Sequence, residues 1–471
     1  MTTPALWLAA LQALVSAEQC ETESTRLQDY AVDGLIPKVA VYPETAAQVA
    51  TVLQWAQAAK LAVVPRGSGT AIALGGVARR LDIMLSTSRL TQVSDYDVAN
   101  FTITAGAGTT GSQIAELTTA NRQMLPVQYP WSAATLGGLI ATNAYTPKRL
   151  LYGGVRDLLL GLRVTLPSGE IAHFGGKVVK NVAGYDMCKL FIGSLGVLGV
   201  IVEATFKLYA LPERDDTLMA ALPSLAQGAA AVVELTATQL LPSQILLLNP
   251  AAAGTLVPLC AVDAAAGAAL LLVNCEGMDE AVERQLTDIA RICQGHGASV
   301  VKILSGDAQL QLRGRLCSGS AHVAAPAGSP SAQPTSGAAQ RLDGTVLRVR
   351  LGIPPSQVHR MMEATAQTLR RIAPGVSIIG DCGVGLVTLG LDSDGLDVGA
   401  IEGELLPALR HVRSLVTELG GYAVIESAPP TVKSLLEVWG PTPSSFALLK
   451  ALKQRFDPND ILSPGRFIGG L

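Results

Sequence analysis

The chain has 471 residues, enough for two or three domains of ordinary size around a large buried core. Hydrophobic residues make up 49% and charged ones only 15%. The 35 basic and 38 acidic residues leave a net charge of −3 without basic clusters, which excludes an electrostatic footprint for nucleic acid. Seven cysteines stand far apart with no Cys-x-x-Cys pair, against a zinc ribbon or an iron–sulfur cluster in this chain and in keeping with reduced core thiols.

Residues 1–16 carry no Lys or Arg, so a secretory signal with a basic n-region is not expected. No apolar run reads as a spanning helix either, and a cytoplasmic protein without a transmembrane segment is the expectation. Residues 46–59, AAQVATVLQWAQAA, place apolar side chains at helical spacing behind Pro43-Glu44-Thr45 and predict a helix. The apolar strand that follows runs into PRGSGTAIALGG, where Gly67, Gly69, Gly75 and Gly76 permit positive φ and leave no Cβ, so successive N–H groups can turn toward an anion. Thr70 and Ala71 follow Gly69 where a Walker loop needs Lys and Ser/Thr. The loop therefore suits a diphosphate met by amides and Arg66; its alternative is a plain glycine turn after a strand.

Residues 101–111, FTITAGAGTTG, satisfy Gly-x-Gly-x-x-Gly before the helical SQIAELTTAN. No acidic residue lies between Glu116 and Asp157 to hold a nucleotide ribose, so a structural turn is expected. Residues 130–143, PWSAATLGGLIATN, put Gly137 and Gly138 among small residues, a second place where backbone can approach a ligand. A third segment, Lys177 to Pro212, carries Gly193, Gly196 and Gly199 ahead of an apolar strand from Val200. From about 213 the chain changes character, with Ala- and Leu-rich helices alternating with strands such as 269–274 and 345–353. Residues 318–340 contain no Asp, Glu, Lys or Arg and are rich in Ser, Pro, Ala and Gly, the composition of a flexible surface insertion. A helix over 444–455 precedes the tail FDPNDILSPGRF.

Together PRGSGT, TLGGLIATNA, YGGVRDLLLGLRVTLPSGE (152–170) and GYDMCKLFIGSLGVLGVI resemble the FAD-binding domain of the vanillyl-alcohol oxidase/PCMH superfamily. Within it they are similar to the FAD-binding E-type subunits of bacterial glycolate oxidases, and the C-terminal FDPNDILSPGRF is similar to that family's ending. The resemblance implies an α+β fold with a two-lobed FAD-binding domain over 28–212, after an N-terminal helical segment 1–27. An α+β cap would span 213–429, and residues 430–471 would return to the FAD domain. It implies non-covalent FAD, with Pro65, Arg66, Gly67, Ser68, Gly69 and Thr70 at the pyrophosphate. Pro130, Thr135, Leu136, Gly137, Gly138, Ala141 and Asn143 would run along the diphosphate and ribityl chain. Gly196, Gly199, Val200, Ile201 and Val202 would meet the flavin or adenosine through main-chain atoms.

Catalytic relatives carry paired histidines in two cap segments. The corresponding stretches here, IGDCGVGLVTLGL (379–391) and GGYAVIESAPP (420–430), contain none, and His173, His296, His322, His359 and His411 are isolated, so no metal site is expected. Two functions fit. In the first, the chain is the FAD-binding subunit of a glycolate oxidase-type complex, carrying flavin and supporting electron transfer beside a catalytic flavoprotein subunit and an iron–sulfur subunit without itself oxidising substrate. In the second, it is a self-sufficient FAD-dependent 2-hydroxyacid dehydrogenase, acting on glycolate or D-lactate, whose base is sought among Lys180, Tyr185, Arg156 and Arg466.

Overall fold

The computed structural model describes residues 4–127, 133–177, 184–256, 267–317, 346–392 and 398–471. Pro130, Lys180 and the segment 318–340 lie outside the described residues.

The first lobe is a four-stranded sheet of β1 (Cys20–Glu21), β2 (Val39–Val41), β3 (Val63–Arg66) and β4 (Ile83–Ser86) in the order β1-β2-β4-β3. The last three are parallel and β1 closes one edge antiparallel. Parallel strands need a crossover, and the helix Ala46–Ala59 supplies it between β2 and β3. Thr45 caps it by accepting the Gln48 N–H at 3.1 Å, and Val49, Val52, Leu53 and Ala56 form the buried stripe that the sequence spacing predicts.

The second lobe contains β5 (Val93–Asp97), β6 (Thr102–Gly106), β7 (Gln123–Met124), β8 (Leu159–Thr165), β9 (Ile171–Gly175), β10 (Val200–Lys207) and β11 (Tyr209–Ala210). Five of these form an antiparallel sheet in the order β5-β6-β10-β8-β9, while β7 pairs with β11. The Gly-x-Gly-x-x-Gly stretch proves to be a packing device. A Cβ on Gly106 would meet the Leu90 carbonyl at 2.2 Å and one on Gly108 the Thr87 carbonyl at 2.1 Å. Thr110 and Gln113 then form a capping box for the helix Gly111–Thr119.

The C-terminal half forms a fully antiparallel eight-stranded sheet from β12 (Arg214–Leu222), β13 (Gln244–Leu248), β14 (Ala269–Gly277), β15 (Val300–Leu304), β16 (Val346–Gly352), β17 (Ser377–Asp381), β18 (Leu386–Asp392) and β19 (Tyr422–Ser427). Their order is β15-β12-β14-β13-β17-β18-β16-β19. One face, with Leu218, Ala220, Leu271 and Val273, packs against the helices Leu225–Thr236, Asp279–Gly295, Val358–Leu369 and Leu406–Glu418. The other face buries Met219, Ala221, Leu246, Leu248 and Leu272. Burial on both faces is why ALLLVN reads as an unbroken apolar run.

The chain's end returns to the first lobe. After the helix Phe446–Phe456, Ile461 and Leu462 enter the core of β2–β4, and Leu462 pairs in parallel with Val63. Lys453, 4% exposed, anchors this return: its Nζ lies 2.6 Å from Asp457 and donates to the carbonyls of Val197 and Leu462. Gly75 and Gly76 then fit against the carbonyls of Arg466 and Gly465, where a Cβ would come within 2.9 and 2.6 Å.

Candidate functional site

The two lobes and the cap sheet enclose a cleft of about 2380 Å³ of empty space, part of it open to solvent. One end is built from glycine. Gly67 abuts Thr135, whose Oγ1 a Cβ on Gly67 would meet at 2.0 Å, and the same Oγ1 caps the helix Leu136–Thr142 by accepting the Gly138 N–H at 3.2 Å. Gly69 has φ 84° and leaves room for the Arg66 guanidinium, whose Nε a Cβ there would meet at 2.4 Å. That guanidinium donates to the Asp29 carbonyl at 2.7 Å and lies 4.7 Å from the Tyr30 ring centre; burial pushes its pKa down.

Of the sequence-predicted cofactor residues, Pro65, Arg66, Gly67, Ser68, Gly69, Thr70, Thr135, Gly137, Gly138, Ala141, Gly196, Gly199, Val200 and Ile201 line the cleft. Leu136 and Val202 instead turn into the core, and Asn143 closes its helix in the left-handed region at φ 46°. Among the candidates for a base, Tyr185 is 93% exposed and Arg156 is exposed, and neither faces the cleft. Arg466 does line it, but its Nη2 donates to the carbonyls of Ile72 and Leu74, so it fastens the C-terminal tail to the glycine loop. Pro130 and Lys180 lie outside the described residues.

Sequence reasoning missed the opposite wall. Leu246 on β13, Asn274 on β14, Ile379 and Asp381 on β17, Thr388 on β18, Arg348 and Arg350 on β16 and Glu426 on β19 all face the cleft. The alternation Arg-Val-Arg within an apolar strand was the available signal: period two sends both arginines to one face. Arg350 is ion-paired with Glu426. The Nε of Arg348 has no hydrogen-bond partner among the described residues, and burial alone pushes its pKa down. An arginine head in that setting calls for an anion.

Beside the arginines, Asp381 accepts a hydrogen bond from the Tyr145 hydroxyl, and Tyr145 accepts one from Gln244 at 3.1 Å. The Gly383 N–H reaches the other Asp381 oxygen at 3.2 Å. Burial outweighs these contacts and pushes the carboxyl up to about 6. Further along, Lys148 bridges Asp215 at 2.8 Å and Glu276, and Arg313 also binds Asp215. Burial works against the Asp215 charge, but Lys148 and Arg313 hold its pKa below the carboxylate range; burial raises that of Glu276. His173, His296, His359 and His411 lie away from the cleft lining, and His296 pairs with Glu234. Among the described residues no three His, Cys, Asp or Glu side chains are grouped to hold a metal ion.

Two protein families match this arrangement. The FAD binding domain family matches residues 37–175, and the C-terminal domain of FAD linked oxidases matches 211–391 and 437–467. A D-lactate dehydrogenase of Archaeoglobus fulgidus is 30% identical over 445 residues, 91% of each chain. The glycolate oxidase subunit GlcD of Bacillus subtilis is 27% identical over 439 residues, 92% of this chain and 89% of that protein. In fold, p-cresol methylhydroxylase superposes with a TM-score of 0.73 at 16% identity, over 98% of this chain and 96% of that one. The chain belongs to the FAD-linked oxidases. It is an FAD-dependent oxidoreductase of the 2-hydroxyacid oxidase and dehydrogenase family, with the α+β PCMH-type fold. FAD is its cofactor, and the Cβ-free backbone at Gly67, Gly69, Gly137 and Gly138 fits a long, flat, anionic group. No helix among the described residues is long and apolar enough to cross a membrane.

Proposed function

We propose that the chain is the FAD-carrying subunit of a glycolate oxidase-type assembly and that its own cleft admits a small 2-hydroxy acid, electrons leaving to a partner chain. One observation carries this reading: a single cleft joins the glycine end, which suits the FAD diphosphate, to a cap wall where Arg348 presents a guanidinium whose Nε has no hydrogen-bond partner among the described residues. In this reading the pyrophosphate lies along Gly67–Thr70 and Gly137–Gly138, and the carboxylate of the substrate meets Arg348. Arg350, neutralised by Glu426, shapes the same wall. FAD, when bound, supplies the hydride acceptor. The similarity to a protein described as a glycolate oxidase subunit supports membership of a complex. The partners in this reading are a second flavoprotein subunit and an iron–sulfur subunit.

The lack of histidine in the lining among the described residues favours a second reading, in which the chain carries flavin without oxidising substrate itself. Anaerobic stopped-flow mixing of the FAD-loaded chain with glycolate or D-lactate separates the two. Bleaching of the flavin at about 1 s⁻¹ or faster is the expected result; flavin that stays oxidised, while co-expressed partners restore activity, would leave only the carrier role.

A further inference from the structure

Among the described residues no histidine lines the cleft, yet removing hydride from a 2-hydroxy acid requires a group to take the hydroxyl proton. Tyr145 and Asp381 are placed for it. They come from opposite sides of the cleft, Tyr145 from the segment after the helix Leu136–Thr142 and Asp381 from the end of β17. They are joined by a hydrogen bond, and both line the cleft. We propose that Tyr145 and Asp381 form the proton-accepting pair of this cleft. The inference rests on the reading that the cleft takes a 2-hydroxy acid.

In the step, the substrate O–H bond breaks and its proton passes to the Tyr145 oxygen as the Tyr145 proton passes to Asp381. The C–H hydrogen would leave with its electron pair, FAD when bound supplying the acceptor, as the carbon–oxygen double bond forms. One proton resides on the carboxyl and two electrons leave with the hydride, so the product is a 2-oxo acid.

The surroundings suit a base rather than a structural ion. Asp381 is 4% exposed, and its register partners on β13 and β18, Leu246 and Leu386, are apolar. No lysine or arginine forms a salt bridge with it among the described residues; Arg149 acts on it through space only, and the neighbouring Cys382 thiol is itself pushed up by burial. A carboxylate that gives up desolvation cost on protonation is a stronger base than one in water. The other candidate on this wall, Lys148, is bound to Asp215 and Glu276. Arg350 feels the Tyr145 hydroxyl, and Arg348, two residues before it on β16, lines the same cleft.

The test uses the full-length, FAD-loaded chain and its Asp381→Asn and Tyr145→Phe variants. Flavin reduction by glycolate or D-lactate should slow by about 10²-fold or more in both, with FAD content unchanged. In the wild type the rate should rise with pH through about 6. Oxalate, an unreactive dicarboxylate followed by its flavin difference spectrum, should bind more weakly over the same interval as Asp381 becomes negative. Both pH dependences should vanish in Asp381→Asn. If the wild type is reduced but Asp381→Asn keeps its rate, or if oxalate binding ignores pH, the pair is not the proton acceptor while the substrate reading stands. If oxalate binds but no 2-hydroxy acid reduces the flavin, the substrate reading itself falls and takes this pair with it.

Discussion

Replacing Gly67 by Ala is a stringent test of the glycine end of the cleft. Gly67 does not require positive φ, so alanine costs nothing in backbone conformation and the whole effect is steric. The new Cβ would sit 2.0 Å from Thr135 Oγ1 and 3.1 Å from Thr135 Cβ and Cγ2, against a contact distance of roughly 3.5 Å. If Thr135 rotates away, the Gly138 N–H loses its cap at a cost of about 1 kcal/mol. If it stays, overpacking costs about 1–3 kcal/mol. A middle value of about 2 kcal/mol lowers the melting temperature by roughly 4–8 °C for a domain of this size. The same displacement parts the two glycine segments proposed to hold the diphosphate, and each 1.4 kcal/mol of lost contact is about tenfold in FAD affinity. Thermal melts with and without added FAD, together with the ratio of flavin to protein absorbance, read both effects. Full flavin occupancy with an unmoved melting temperature would refute the reasoning. Thr135→Ala in the same chain should restore flavin binding while leaving the helix uncapped.

Asp381→Asn should change stability in a pH-dependent way. Its carboxyl titrates near 6 folded against an ordinary 3.8, so the folded state holds the proton more tightly, and stability present at acid pH is lost as pH rises from about 4 to 6. That difference corresponds to at most about 3 kcal/mol. The variant should therefore melt higher than wild type at neutral pH and about equally at pH 4, and an equal offset at both would count against the assignment. Arg348→Met should leave the apo chain as stable or slightly more so, because a buried cation is removed. It should weaken oxalate binding at least tenfold, a charge-assisted bond being worth about 1.5–3 kcal/mol; unchanged oxalate affinity would remove Arg348 from the substrate wall. Lys453→Met leaves Asp457 charged and buried, a loss of about 3–5 kcal/mol. Limited proteolysis should then cut the C-terminal tail, and a resistant tail would contradict its anchoring role.

Sequence reading located the glycine end because its signals are local. A strand followed by PRGSGT, or Thr135 ahead of Gly137 and Gly138, carries its geometry in adjacent residues, and the helix from Ala46 to Ala59 followed from spacing and its Thr45 cap. The cap wall was opaque because it is assembled across the sheet. Gln244, Asn274, Arg348, Asp381, Thr388 and Glu426 come from six strands whose order, β14-β13-β17-β18-β16-β19, is not their order in the chain. Tyr185 and Arg156 lie near motif glycines in sequence, yet both are exposed to solvent. Arg466 was placed at the cleft, but its hydrogen bonds to Ile72 and Leu74 could not be read from the tail alone.

The return of the tail sets a schedule for synthesis. Lys433 reaches Asp33 across 400 residues of sequence, and Arg466 holds the loop that begins at Arg66. A ribosome that has made the first lobe, the second lobe and most of the cap has still not made the residues that pin the glycine loop. Closure of the glycine loop therefore follows translation of residues 433–466, after both lobes and most of the cap. A chain stopped before Lys433 would lack both ties to the glycine loop and so a closed cofactor site.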